Sequence, residues 1–171
     1  MPIHWTTYRL LLSASPGLTS EQQAFEAANA SFAERVTMPA WILFALASTR
    51  SGFDPQVNRN AVESNIRFCD FFLQIFGETA PDPAFFGFLE LAIACTRDPA
   101  YPMRSTVVAF RNPENASPEL SALRRRLLDG GDCQVHDFDS LDEFNSLAEQ
   151  ILADWYALIQ DQNKSASVGP K

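Results

Sequence analysis

The sequence predicts an α/β fold: a three-layer sandwich with a five-stranded, mostly parallel sheet in the order 2-1-3-4-5 and helices on both faces. Three observations lead there. Short apolar runs and amphipathic runs of helical period alternate five times along the chain. The first four apolar runs are nearly unbroken by polar residues, as in strands covered on both sides. Each amphipathic run opens on a helix-start signal. Right-handed crossovers between parallel strands then place helices above and below the sheet.

The elements follow in order. "YRLLLSAS" (8–15) is a buried strand closed by the turn Pro16-Gly17. Ser20 with Gln23 forms a capping box, and Phe25, Ala28 and Phe32 recur at helical spacing up to about Val36. "WILFALAS" (41–48) is the second strand. After a polar loop, Asn60 with Glu63 marks a second helix start, and Val62 and Ile66 lie four apart. "DFFLQIFG" (70–77) is the third strand. Asp82 before Pro83 starts a third helix, expected over 83–96. "STVVAF" (105–110) is the fourth strand. Ser117-Pro118 starts the fourth helix and Gly130-Gly131 stops it. "CQVHDF" (133–138) alternates, as an edge strand does. Ser140 with Glu143 caps the last helix, whose stripe of Leu141, Phe144, Ala148, Ile151, Trp155 and Leu158 faces the core. A polar, frayed tail is expected from about Asp161, leaving a single domain over 1–160.

Composition narrows the function classes. The 171 residues suit one domain with a real core, and 14 phenylalanines against three tryptophans and three tyrosines suggest a dry one. A net charge of −8 argues against nucleic-acid binding, which needs clustered Lys and Arg. It leaves room for a local anion site. Three scattered cysteines, Cys69, Cys95 and Cys133, read as free thiols in a reducing compartment. No signal-peptide pattern and no run long enough to span a membrane is present, so the expectation is a cytoplasmic chain with no membrane partner. Dinucleotide, P-loop, zinc-protease and nucleophile-elbow motifs are absent, and the cysteines and two histidines form no zinc-ligand spacing. No cofactor or metal is expected.

Open α/β sheets bind ligands beyond the carboxyl ends of their strands, at the switch in strand order. The sequence places Ser13, Ser15 and Gly17 ("SASPG") after strand one, Arg50 after strand two, Gly77 after strand three and Arg111 after strand four. Hydroxyls, turn N–H groups and two guanidiniums there suit an anion. Ordinary turn chemistry explains the same residues. An acidic cluster after strand one, which a flavodoxin-type response module needs, is missing. The third helix, "FFGFLELAIAC" (85–95), carries the second candidate. At about 100° per residue Glu90 shares a face with Phe86, Gly87, Ile93 and Ala94, with Arg97 further along. That face is either a wet line or a cleft wall. In a cleft, desolvation would raise the pKa of the carboxylate and fit it for base or nucleophile work.

As a set, these stretches resemble bacterial TIR-like domains of unknown function. Ser13, Ser15, Leu18 and Glu21 match the first element of the pattern. Cys69, Asp70, Phe72 and Gly77 match the third, and Glu90 and Ala94 the fourth. The wider relatives, TIR NADases and nucleoside deoxyribosyltransferases, use a glutamate on this helix at a ribose C1′. The resemblance therefore implies Glu90 and Asp70 as catalytic residues and a nucleotide, NAD-like ligand meeting "SASPG" and Arg50. Gln22 stands where the pattern has arginine, "FFG" where it has hydroxyls, and "FGETAP" where strand three usually ends in a "G-x-R-x-G" type of segment. Two functions follow. One is a TIR-like signalling, interaction or nucleotide-sensing module without catalysis, self-associating through helix faces or a sheet edge as a homo-oligomer. The other is an N-glycosidic-bond enzyme built on Glu90.

Overall fold

A computed structural model describes residues 4–40, 42–49 and 54–167. The five parallel strands are β1 (Thr6–Ala14), β2 (Ile42–Ser48), β3 (Phe71–Phe76), β4 (Ser105–Arg111) and β5 (Gln134–Phe138). They pair in the order β2-β1-β3-β4-β5, as the sequence predicts. The helices are α1 (Thr19–Ala40), α2 (Arg59–Phe68), α3 (Pro83–Arg97), α4 (Pro118–Gly130) and α5 (Leu141–Ser167).

Strand alternation sorts the apolar residues into two cores. Tyr8, Leu10 and Leu12 of β1 lie on one face with Phe71, Leu73 and Ile75 of β3, under α1 and α5. Leu11, Phe72, Phe76, Val108 and Phe110 lie on the other, under α2, α3 and α4. Consecutive residues of β3 are thus all buried, which is why its sequence reads as an unbroken apolar run. Phe71 stacks on Trp155 with centroids 4.9 Å apart and meets Tyr8 and Phe44 at wider angles.

Several helix starts match the sequence signals. Asp82 accepts the Ala84 N–H at 2.8 Å, and Ser117 accepts from Leu120 at 3.3 Å. Ser140 accepts from Glu143, whose carboxylate takes the Asp139 N–H at 2.8 Å. Gly131 ends α4 at φ 65°.

Two starts fall earlier than the capping patterns indicate. The Gln22 N–H bonds the Leu18 carbonyl, so α1 begins at Thr19 and Ser20 lies inside its first turn. Leu18 is buried beneath Gly77, which sets that entry point. Likewise the Val62 N–H bonds the Asn58 carbonyl, so α2 begins at Arg59, and Glu63 pairs with Arg59 rather than serving Asn60. At the other end, α5 stays helical to Ser167, beyond the point where the composition turns polar. Among the described residues no helix is long and apolar enough to cross a membrane.

Candidate functional site

The chain leaves β1 for β2 on one side and crosses back to β3 on the other, so the ends of β1 and β3 flank the switch point. The turn after β1 is tied to β3 there. The Ser15 N–H donates to the Ile75 carbonyl at 3.1 Å, and Ser15 Oγ accepts the Gly77 N–H at 3.2 Å. Gly17 follows at φ 87°, a left-handed conformation that costs glycine nothing and allows the chain to turn into α1.

Arg111, at the end of β4, lies across Gly77. A Cβ at position 77 would lie 3.7 Å from its Nη2, an ordinary contact, so the guanidinium packs directly on this turn. Arg111 Nη1 then reaches Glu21 Oε1 at 3.0 Å. The Glu21 side chain is only 6% exposed, so the pair seals the top of the α1-side core. Arg111 Nε is buried with no partner. Beside it Asn112 sits at φ 46°, a conformation asparagine tolerates, and its side chain donates to Glu78.

A second polar group joins α1 to β2. Gln22 donates to the carbonyl and the hydroxyl of Thr49, whose Oγ1 also accepts the Ala14 N–H at 3.2 Å. Ser48 donates to Glu26 at 2.7 Å. An open cleft of about 670 Å³ runs alongside, lined by Thr19, Gln23, Glu26 and Ser48 among others. Its described lining carries amides, hydroxyls and one carboxylate but no cation, so it offers hydrogen bonds rather than positive charge.

Ser13 lies deeper. It pairs in register with Gln74 of β3, on the face under α2 and α3. Both are fully buried, and Ser13 Oγ and Gln74 Oε1 have no hydrogen-bond partner.

The two residues expected to be catalytic lie elsewhere and apart. Asp70 precedes β3 and therefore stands at the opposite end of the sheet from Gly77, a strand length of roughly 20 Å away. It accepts the Arg9 N–H at 2.8 Å and lies 3.9 Å from Arg104 Nε. Burial raises its pKa, opposed by the Arg9 N–H and the Arg104 charge. This is a tie holding β1, β3 and the approach to β4 together.

Glu90 projects from the outer side of α3, with its side chain 58% exposed, and Arg126 of α4 donates to it at 2.9 Å. Arg97 pairs with Asp132 along the same shallow groove, which Ile93 and Ala94 also line. Glu90, Ile93, Ala94 and Arg97 of the face the sequence grouped do line a groove, and it is bordered by ion pairs to α4 and to the turn after it rather than by the strand ends.

Of the expected ligand residues, Ser15, Gly17, Gly77 and Arg111 come together at the rim and Ser13 lies beneath them. Arg50 lies outside the described residues. Sequence reasoning gave no role to Gln74, and named Glu21 and Gln22 only as a match and a departure in the resemblance, without a contact. Gln74 had a signal, being the one polar residue in "FFLQIF". Glu21 stood in the matched first element, but nothing local pointed to its partner, Arg111, 90 positions away. Cys69 and Cys95 are buried free thiols and Cys133 is half-buried. Burial pushes Cys69 up to about 12 and Cys133 up to about 11, which keeps both protonated and poor as nucleophiles. Among the described residues no cluster of His, Cys, Asp and Glu is placed to hold a metal.

No protein-family model and no curated protein matches the chain.

Proposed function

We propose that this chain is a TIR-like signalling module that senses a nucleotide-like ligand, NAD among the candidates, at the switch-point rim and no longer cleaves a glycosidic bond. One observation carries this reading. Glu90, the residue the resemblance would make catalytic, is exposed and ion-paired to Arg126, and Asp70 stands at the far end of β3. A glutamate that handles an oxocarbenium-like centre needs a desolvated pocket shared with groups that hold the sugar. Glu90 has neither burial nor such neighbours. The rim, in contrast, has a glycine turn, a buried Arg111 Nε without a partner and an adjoining hydrogen-bonding cleft.

The test is incubation of concentrated protein with NAD, reading nicotinamide release by chromatography and binding by calorimetry. The expected result is measurable binding, weakened at least tenfold by Arg111→Ala, with no release above a protein-free control. Release that Glu90→Gln abolishes would instead establish the enzyme, and absence of any binding would remove the rim as a nucleotide site.

A further inference from the structure

The two edges of the sheet are built differently. β5 is five residues long, and Arg124 pairs with Asp137 on it. Short length and charge are the usual devices that stop an edge from pairing with another strand. β2 carries none of them. Its seven residues, "ILFALAS", include no charge and no proline, so every N–H along its outer edge is able to donate. Among the described residues, no backbone hydrogen bond is made to that outer edge.

The strand is uncovered on one face as well. Ile42 and Phe44 are buried beneath α1, but on the opposite face Leu43 is 41% exposed and Ala45 and Ala47 are exposed too. α2 stops short of β2 and turns Phe68, 63% exposed, towards this strip, with a groove of about 220 Å³ between them. Arg9, the cation bordering the groove, has Asp70 beside it.

We propose that two copies of this chain pair β2 with β2, antiparallel about a two-fold axis at Ala45, into one continuous sheet of twice five strands. The occupant is a second copy for three reasons. The chain has a net charge of −8, so copies repel in general, yet this strip is free of charge. The strand is complementary to itself. About Ala45, Leu43 faces Ala47 of the second copy and Phe44 faces Leu46, so apolar meets apolar on both faces. And with β5 blocked, pairing consumes the one free edge that the described residues leave in each copy, so the assembly closes at two instead of growing. Phe68 from each copy then covers the strip from either side. This assembly is independent of what the rim binds.

Sedimentation velocity across a hundredfold concentration range, together with disulfide trapping, tests it. The unaltered chain should approach twice its monomer mass, and Ala45→Lys, which sets two ammonium groups against each other at the axis, should stay at monomer mass with an unchanged circular dichroism spectrum. In trapping, Ala45→Cys chains should cross-link to each other under mild oxidation. Leu43→Cys chains should cross-link to Ala47→Cys chains in preference to themselves. The trapping reads the geometry directly even if the lysine variant fails to fold. A monomer at every concentration overturns the proposal, as does a dimer that Ala45→Lys leaves intact or that none of these cysteines trap.

Discussion

Arg111 and Glu21, 90 positions apart, meet at 3.0 Å over Gly77 and join the end of β4 to the first turn of α1. The carboxylate is also favourably placed for the helix dipole. Its side chain is almost wholly out of water, so the guanidinium takes the place of solvent as its polar partner.

Arg111→Ala leaves that carboxylate buried and unpaired. The expected loss is about 1.5–3 kcal/mol, the range for a hydrogen bond to a charged group. Glu21→Gln keeps an acceptor and should cost less. Urea unfolding checks both, through a lower midpoint at unchanged slope.

Glu90 gives the contrasting case. Its pair with Arg126 is more than half exposed on both sides. Glu90→Gln should therefore change stability by less than about 1 kcal/mol. A larger loss in urea unfolding would mean that the α3–α4 groove is a structural clamp.

His136 makes stability depend on pH. Burial lowers its pKa from 6.5, opposed by Asp154 and Asp137, and its Nε2 is buried with no partner. Below 6.5 the unfolded chain therefore binds more protons here than the folded one. The contribution is complete above 6.5 and is lost as pH falls through that value towards the lowered folded pKa. Unfolding curves from about pH 8 down to about pH 5 should show the unaltered chain weakening more steeply than His136→Gln. Parallel curves would show that the histidine charges as freely in the fold as in the unfolded chain.

The cysteines should be quiet. With Cys69 held near 12 and Cys133 near 11, a thiol reagent at about pH 8 should label the folded chain slowly, Cys133 first because it is half-buried. In denaturant all three should react at once. Rapid labelling of Cys69 in the folded state would mean that the Asp70 end of the sheet opens readily.

The amino-acid sequence by itself determined the five strand–helix repeats, the parallel sheet and its order. Those follow from local signals: unbroken apolar runs such as "FFLQIF", stripes such as Phe144–Ala148–Ile151–Trp155, and caps at Asp82, Ser117 and Ser140 that satisfy backbone groups within four residues. Helix starts at Thr19 and Arg59 escaped because burial of Leu18 and the Asp54–Asn58 turn outweighed the nearby capping patterns. Rim membership for Ser15, Gly77 and Arg111 was legible too, since strand ends in a parallel sheet all lie on one side. Only the tertiary structure decided what those residues touch. Glu21 on Arg111, Arg126 on Glu90 and Ser13 beside Gln74 are contacts between segments 36 to 90 positions apart, or between neighbouring strands. No periodicity encodes such pairs. Helix rotation and strand register set them, and both are fixed by packing of the whole core.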